Sequence, residues 1–435
     1  MIQVFLDKSR ISGPCYKVSY CGKTYYTPNE PITADMTNAK VLFTGQLNGA
    51  EGKDRALIAH LLKKSNGNED KFVELCRALN GEWAMVIIIP GRDMAALFTD
   101  PLGTIPIYFN KKLEISTNNS EISDHEKFDS VYRSEVLKWG YNTDNRTPWK
   151  DVKRVMPRKL TYFIENENMK TYLERPIFED FFDYDNTDFS VRDVMHNVIL
   201  KQLKDIDINR EIAVLLSGGL DSSIISYELL TINKEVYDGK LRLHFYTLNE
   251  DPKDVECTKA FCEMYDITTT FISYDKSNVD YEKALRINKT PIDLGSMVPN
   301  QILFSQIPEK LYFTGDGADC IFGGFRRIDE YDSQMSDLFE EHPFYYSPKG
   351  NNACEHFNTQ LKCPFNDFEI INYALHLPLP ERTHKKCLKD AYRDVLPDCI
   401  INRQKLPLKT EQIVKDKNQY RYDLAKKFYS IDWKK

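Results

Sequence analysis

The sequence lacks an apolar run long enough to cross a membrane, which argues against a membrane-spanning helix. Its first residues lack the basic start and long apolar core of a secretory signal, so we expect a cytoplasmic protein. The ten cysteines are scattered singly without a C-x-x-C pair, which argues against a disulfide framework and a zinc site. Acidic residues outnumber basic ones, 65 to 58, and predict neither a nucleic-acid nor a membrane partner. Any phosphate binding must therefore be local.

The 435 residues divide into two regions with different predicted patterns of strands and helices. Up to about residue 163 short strand-like runs dominate, and two of them flank Cys21-Gly22, which is typical of a hairpin turn. Helical patterns over 55–64 and 71–79 interrupt the strands. Further strands are expected over 83–89, 95–99 and 105–109. This order predicts a layered α/β sandwich.

From about residue 191 strands and helices alternate. Residues 212–216 form a continuous apolar run, as expected for a buried parallel strand. The sequence predicts further strands over 241–248, 268–273 and 310–314, helices over 222–230 and 254–265, and a helical part over 367–435. Such alternation predicts a doubly wound parallel sheet, in which ligands bind at the carboxyl ends of the strands.

The segment Ser217-Gly218-Gly219-Leu220-Asp221-Ser222-Ser223 joins the end of a predicted strand to the start of a helix. Two glycines allow a tight turn, and successive backbone N–H groups at a helix N-terminus bind anions. Asp221 is unfavourable beside phosphate unless it holds a bridging cation, for which Mg²⁺ is the natural choice. The alternative is an ordinary strand-to-helix turn with a capping Asp. The segment is not a Walker P-loop, because no Gly-Lys-Ser/Thr follows.

This segment resembles the PP-loop of the ATP pyrophosphatase superfamily, whose members cleave ATP between the α- and β-phosphates. Three further segments are similar to the asparagine synthetase and β-lactam synthetase branch. Thr314–Phe325 resembles S-G-E-G-x-D-E-x-F-G-G-Y, Pro364–Asp367 resembles P-F-L-D, and Arg403-Gln404-Lys405 resembles the R-x-K near the C-terminus. Lys385 and Lys389 lie where that family has a Lys and an Arg.

The N-terminal region resembles the Ntn glutaminase domain of asparagine synthetase B, an αββα sandwich. Residues 79–84 are similar to L-D/N-G-x-F-A, and residues 99–108 to R-D-x-L-G-I-x-P-L-Y. That glutaminase uses an N-terminal Cys as nucleophile, whereas this chain has Ile2, and Thr44-Gly45 stands for its oxyanion-hole Asn-Gly. Cys15 would need unusual processing to become a terminus. The resemblance therefore implies a domain that has lost glutamine hydrolysis.

The resemblance divides the chain into a glutaminase-like domain over 1–173, a crossing over 174–190 and a synthetase domain over 191–435. The crossing is acidic and aromatic, and its rings could instead pack on the second domain. The implied cofactors are ATP and Mg²⁺. The residues implied to bind the nucleotide are Leu216, Ser217, Gly218, Gly219, Asp221, Ser222, Ser223, Leu248, Gly315 and Lys385. The implied metal ligands are Asp221 and Asp319.

The implied catalytic residues are Asp316 and Lys405. Lys405 matches the family's catalytic Lys, which would stabilise an oxyanion; the alternative is a solvated Lys. Asp316 stands where amide-making asparagine synthetases have Glu, and its shorter side chain leaves the amine nucleophile open; the alternative is a turn-forming Asp before Gly. Asp293 and Ser296 are weaker candidates for the acyl pocket.

Loss of the glutaminase would remove the internal source of ammonia. The sequence therefore favours intramolecular closure of a lactam or macrolactam, as in β-lactam synthetases and lasso-peptide cyclases, over ammonia-dependent asparagine synthesis or substrate amidation. A non-catalytic nucleotide-binding protein is the alternative of another class. We expect a carboxylate-containing small molecule or peptide as substrate, with a homodimer and pathway proteins as candidate partners.

Overall fold

The computed structural model describes residues 1–35, 37–166, 169–177, 188–249, 251–275, 278–291, 297–324, 337–403 and 417–433. These residues fall into two compact units. Unit 1 comprises Met1–Phe181, Lys289–Ile292 and Arg421–Lys435, and unit 2 comprises Phe182–Asn288 and Asp293–Tyr420. No helix among the described residues combines the length and apolarity needed to cross a membrane.

Unit 1 contains two larger antiparallel sheets and a separate hairpin. Its strands are β1 (Gln3–Val4), β2 (Tyr16–Tyr20), β3 (Lys23–Thr27), β4 (Lys40–Leu47), β5 (Gly81–Ile89), β6 (Met94–Thr99), β7 (Tyr108–Asn110), β8 (Ile115–Ser116), β9 (Val152–Arg154), β10 (Lys159–Asn166) and β11 (Met169–Pro176). One sheet has the order β1-β8-β7-β9 and the other β11-β10-β6-β5-β4. The hairpin β2-β3 turns at Cys21 and Gly22, both with positive φ, as that turn requires.

Both faces of the five-stranded sheet of unit 1 are buried, because successive side chains along each strand point to opposite faces. Helices α1 (Asp54–Ser65) and α2 (Glu69–Cys76) pack with one face, where Trp83 and Met85 of β5 lie. Val86 of β5 belongs to the opposite core, shared with the other sheet and the hairpin. Helix-sheet-sheet layering of this kind agrees with the predicted α/β sandwich.

The outer part of unit 1 contains α3 (Ser130–Trp139) and an aromatic cluster. Asp129 caps α3 by accepting hydrogen bonds from the backbone of Val131 and Tyr132, each at 2.9 Å. In the cluster, Trp149 contacts Phe428 and Trp433 from the far C-terminus. Residues near the C-terminus therefore complete an aromatic cluster to which Trp149, from the first half of the chain, also belongs.

Unit 2 is built on a five-stranded parallel sheet. Its strands are β12 (Glu211–Leu215), β13 (Arg242–Leu248), β14 (Thr269–Ile272), β15 (Leu311–Phe313) and β16 (Gln360–Lys362). Their order is β14-β13-β12-β15-β16, and every neighbouring pair is parallel. The chain runs outward from β12 in one direction and later resumes at β15 on its other side. The gap between β12 and β15 is thus a topological switch point, where doubly wound sheets bind ligands.

The remaining helices follow in chain order, and residues 421–430 of the last one belong to unit 1. They are α4 (Val191–Lys204), α5 (Leu220–Glu235), α6 (Pro252–Tyr265), α7 (Tyr281–Asn288), α8 (Met297–Gln306), α9 (Ala318–Ile321), α10 (Ser347–Phe357), α11 (Phe368–His376), α12 (Leu379–Arg382), α13 (Lys386–Ala391), α14 (Asp398–Ile401) and α15 (Lys417–Ser430). A π-helical segment covers Asp337–Tyr346, and 3₁₀ turns cover Lys8–Arg10, Pro90–Arg92, Pro364–Asn366 and Thr383–Lys385.

The predicted fold class, α/β with a doubly wound parallel sheet in the second half, is confirmed. Individual bounds differ from the expectations. The strand predicted over 105–109 begins only at Tyr108, and the predicted crossing from residue 174 overlaps β11, which ends at Pro176. Four of the five aromatic residues of that crossing, Phe178, Phe181, Phe182 and Tyr184, lie outside the described residues, and the fifth, Phe189, is exposed. The domain limits themselves stay a prediction.

Candidate active site

The loop after β12 turns sharply because Gly218 adopts a φ of 69°. A Cβ at this position would overlap the carbonyl oxygen of Asp254 and lie 2.9 Å from the Thr258 hydroxyl, both on α6. The loop is therefore pressed against α6, and glycine is required there for space as well as for backbone conformation. Gly219 is the N-cap of α5, so the first N–H groups of that 16-residue helix have no intrahelical partner.

The serines of the loop have different environments. The Ser222 hydroxyl accepts a hydrogen bond from the backbone N–H of Ser217 at 3.0 Å and lies 2.9 Å from the Ser217 hydroxyl. Ser222 thus closes the loop on itself. The Ser223 hydroxyl is fully buried and has no hydrogen-bond partner among the described residues. Of the three predicted hydroxyl donors, only Ser217 is exposed.

The residues predicted to line the nucleotide also differ in exposure. The Leu216 side chain is fully buried, and its carbonyl accepts a hydrogen bond from Thr247 at 2.6 Å. Leu248, at the end of β13, is partly exposed. The structure therefore gives Leu216 a role in the sheet and leaves Leu248 nearer the surface.

The loop after β15 packs directly on the loop after β12. A Cβ on Gly315 would lie 2.7 Å from the Asp221 Cβ and 2.7 Å from the Ser222 backbone nitrogen. Asp316 follows and is exposed, whereas α9 begins at Ala318 and carries Asp319 in its first turn. The two strand-end loops on either side of the switch point thus form one continuous surface.

Three charged side chains meet at this surface. Lys385 Nζ lies 2.7 and 2.5 Å from the two carboxylate oxygens of Asp221, and 2.6 Å from Asp319 Oδ1. The Lys385 side chain is 7% exposed, compared with 21% for Asp221 and 22% for Asp319. The two carboxylates that the sequence predicted as metal ligands therefore converge on one point.

These carboxylates have the chemistry of a Mg²⁺ site. Mg²⁺ is usually held by one or two carboxylates together with substrate phosphates and water. Among the described residues no group of three or more His, Cys, Asp or Glu side chains could hold a metal ion. A cation held by Asp221 and Asp319 together with phosphate and water would match this usual pattern.

Arg403 attaches the C-terminal part of unit 2 to the loop after β12. Its guanidinium donates a hydrogen bond to the Gly218 carbonyl at 3.2 Å and forms an ion pair with Asp254. Sequence reasoning singled out Arg403 as part of a motif but not Asp254, which lies 149 residues earlier. Nothing in the local sequence around Asp254 marks it as the partner.

A second feature that the sequence did not predict lies beside Gly317. Asn366, from the 3₁₀ turn after β16, occupies the space that a Cβ on Gly317 would need. Its amide oxygen is 3.0 Å from Nε2 of His342, which is 1% exposed. Burial lowers the pKa of His342 to about 4, so the imidazole is neutral at physiological pH.

Three of the predicted site residues, Asp293, Ser296 and Lys405, lie outside the described residues.

Comparisons with known proteins agree with this architecture. The family model for asparagine synthase matches residues 191–339 and 331–429, which together make up more than half of the chain. Microcin J25-processing protein McjC from Escherichia coli is 30% identical over 152 residues, covering 31% of this chain and 27% of that protein. Glutamine-hydrolysing asparagine synthetase 3 from Bacillus subtilis is 22% identical over 468 residues, covering 84% of this chain and 75% of that protein.

The chain matches only part of the length of each relative. For glutamine-hydrolysing asparagine synthetase 1 from Arabidopsis thaliana the match covers 61% of that protein and 81% of this chain, at 23% identity. Among solved structures, U34-tRNA thiolase NcsA from Methanococcus maripaludis is similar with a TM-score of 0.29 and 15% identity, over 55% of this chain and 78% of that one. A likeness at this level carries no argument about fold or function.

Proposed function

Because this chain belongs to the asparagine synthase family, a family of ATP-dependent amide ligases, we propose that it joins an amine to a carboxylate through an acyl-adenylate. The reaction would release pyrophosphate in its first step and AMP in its second. The observation that carries the proposal is the meeting of Asp221, Asp319 and Lys385 at the switch point of a doubly wound sheet. Two anions and one cation at the N-terminus of a helix suit a nucleotide triphosphate with its metal.

In the first step a carboxylate oxygen of the substrate forms a bond to the α-phosphorus, and the bond to the bridging oxygen breaks. The electron pair leaves with pyrophosphate. The free N–H groups at the start of α5 and the exposed Ser217 would hold the leaving phosphates. Lys385 would neutralise part of their charge, while Asp221 and Asp319 would hold Mg²⁺. When bound, this ion would withdraw electron density from the phosphate oxygens.

In the second step the amine attacks the acyl carbon, and the bond to AMP breaks. The amine must lose a proton, and an oxyanion develops on the acyl oxygen. Asp316 is our candidate for accepting the proton, because it is exposed on the loop after β15, three residues before Asp319. Lys405, the candidate for stabilising the oxyanion, follows Arg403 by two residues, and Arg403 contacts the loop after β12.

We also propose that the protein does not hydrolyse glutamine. Ile2 has no nucleophilic atom, and its side chain is fully buried. The backbone nitrogen of Met1 lies 2.9 Å from the Thr44 hydroxyl, which occupies the position of the family's oxyanion-hole Asn. A side-chain amide that could donate to an oxyanion is therefore missing at this position.

Without glutamine hydrolysis, an amine already present on the substrate is the simplest nucleophile. We therefore propose intramolecular closure of a lactam or macrolactam. Similarity to a protein that processes microcin J25 supports this choice over asparagine synthesis. Ammonia-dependent amidation and nucleotide binding without catalysis are the competing outcomes in the experiment below.

The experiment measures pyrophosphate release from ATP and Mg²⁺ with a panel of amino acids, β-amino acids and peptides that carry acidic side chains. We expect one class of carboxylate to trigger release and its product to be lighter by one water. Asp319→Asn should lower the rate at least about 100-fold, because the metal loses one of its two carboxylates. Asp238→Asn is the matched control, since Asp238 is 78% exposed and its ion pair among the described residues is with Lys240.

Other results would contradict the proposal in identifiable ways. Incorporation of ¹⁵N from labelled ammonia would replace lactam closure by amidation. Release of glutamate from glutamine at the ligation rate would overturn glutamine independence. ATP binding with no pyrophosphate from any carboxylate would favour a binding protein.

A further inference from the structure

Lys385 occupies the position between Asp221 and Asp319 where a metal ion would be expected. Its ammonium lies within hydrogen-bond distance of both carboxylates, with three nitrogen–oxygen distances of 2.7, 2.5 and 2.6 Å. Two of these contacts are hydrogen bonds to Asp221, and the third is an ion pair with Asp319. A divalent cation cannot share the same oxygens with an ammonium at this range without strong repulsion between like charges.

The backbone fixes this position of Lys385. His384 and Lys385 adopt left-handed φ values of 54° and 59°, which are unfavourable for residues with side chains. Their backbone N–H groups donate to the carbonyls of Gly323 and Phe322 at 2.9 and 3.0 Å. The kink therefore docks on the residues that follow α9, the helix that carries Asp319.

Gly324 makes the approach of Lys385 possible. A Cβ at this position would lie 2.5 Å from Lys385 Cε and overlap Asp319 Oδ1. One glycine and two residues with unfavourable backbone angles thus place the Lys385 ammonium between the two carboxylates. A lysine that served only to contact phosphate would not need this constraint.

We propose that Lys385 is an internal counter-cation that excludes free Mg²⁺ from the carboxylate pair until nucleotide binds. The ammonium offsets one of the two carboxylate charges, which weakens the attraction of the pair for a divalent ion. A bound triphosphate offers the ammonium new oxygen partners and lets the carboxylates turn to the metal. The metal then enters as the metal–nucleotide complex. This inference rests on the proposed function, because it assumes that the site takes ATP.

The test measures Mn²⁺ binding to the full chain without nucleotide, by the loss of the free Mn²⁺ signal in electron paramagnetic resonance. Lys385→Met should bind Mn²⁺ at least about tenfold more tightly than the unsubstituted protein, because the competing charge is gone. The same variant should bind the Mn²⁺ complex of α,β-methylene-ATP at least about tenfold more weakly, because the phosphates lose a cation. A residue with a merely structural role would not change the two affinities in opposite directions.

Two matched variants accompany this measurement. Lys385→Arg keeps the positive charge and should still exclude free Mn²⁺. Lys386→Met removes the next ammonium, which is 51% exposed and pairs with Glu381 and Asp390, and should leave both affinities unchanged. Thermal unfolding with and without Mn²⁺ provides a second readout, in which Mn²⁺ should raise the midpoint of Lys385→Met more than that of the unsubstituted protein.

Unchanged or weaker binding of free Mn²⁺ by a folded Lys385→Met variant would overturn the counter-cation role. So would tight Mn²⁺ binding by the unsubstituted protein without nucleotide. Failure of the proposed function looks different, because the protein would then bind no α,β-methylene-ATP while its response to free Mn²⁺ could still be measured.

Discussion

Single glycines determine how closely the loops of the site approach each other. Gly218 faces a backbone carbonyl, Gly315 faces the backbone of α5, and Gly324 faces Asp319. At Gly218 and Gly315 the obstacle is backbone, which cannot easily move away, and at Gly324 it is the Asp319 carboxylate paired with Lys385. These positions therefore limit the geometry of the carboxylate pair more strongly than the exposed Ser217 does.

Gly218→Ala tests this dependence. The new methyl would clash with the Asp254 carbonyl, and the alanine backbone would keep an unfavourable positive φ. The loop after β12 must therefore move away from α6. We expect a loss of stability of about 1–3 kcal/mol and a loss of ATP binding of at least about 100-fold. Isothermal titration calorimetry and thermal unfolding measure the two effects.

Gly239→Ala is the matched control for this substitution. Gly239 has a similar φ of 74°, but a methyl there would meet no atom within 4 Å. It should cost about 1 kcal/mol of stability and leave ATP binding unchanged. Equal ATP binding by both variants would show that contact between the loop and α6 is unimportant.

Local sequence was sufficient to identify the residue types of the site, but not their partners. The Asp221 carboxylate and the loop glycines follow from a strand–turn–helix pattern within a few residues. The pairing of Asp221 with Lys385 spans 164 residues and depends on the sheet order. The sequence also could not show that Ser222 turns inward to close the loop, because serine hydroxyls serve both uses.

At the scale of elements, β12 and α5 were predictable, whereas irregular segments were not. The buried strand β12 follows from the continuous apolar run over 212–216, and the helix predicted over 222–230 lies inside the observed bounds of α5. The strand predicted over 105–109 begins late because the turn at 101–107, which contains Pro106, takes up its first residues. The π-helical segment Asp337–Tyr346 has no sequence signature.

The π-helical segment gives unit 2 a pH dependence through His342. The folded state keeps this imidazole neutral, with a pKa of about 4, whereas the unfolded chain titrates near its ordinary value of 6.5. The unfolded chain therefore binds more protons between these values, and stability is lost as pH falls from about 6.5 toward 4. We expect His342→Gln, which can still donate to Asn366, to lessen this loss by on the order of 3 kcal/mol.

Urea unfolding followed by circular dichroism at pH 7, 6, 5 and 4.5 measures the effect. The matched control is His356→Gln, since His356 is exposed on the following helix. Identical pH dependence of His342→Gln and the unsubstituted protein would mean that His342 is not held neutral by the fold.

At the scale of the whole molecule, one compact unit combines residues from both ends of the chain. The division predicted from the sequence places everything after residue 190 in one synthetase domain. That division stays a prediction. In the structure, residues from Arg421 onward cluster with unit 1, where Phe428 packs against Trp149. The amphipathic pattern of α15 predicts a helix, but it carries no information on which core the helix joins.

Phe428→Ala should therefore destabilise unit 1, although it changes a residue near the C-terminus. Phe428 is fully buried and its ring contacts Trp149, Tyr429 and Trp433. Removing it leaves a cavity in this aromatic cluster, which should cost about 3–5 kcal/mol.

Tyr422→Ala on the same helix is the control, because Tyr422 is 46% exposed and should change stability by less than about 0.5 kcal/mol. Tryptophan fluorescence during urea unfolding reports on unit 1, because all four tryptophans, Trp83, Trp139, Trp149 and Trp433, belong to it. A lower urea midpoint for Phe428→Ala but not for Tyr422→Ala is expected; equal midpoints would mean that the C-terminal residues add no stability to unit 1.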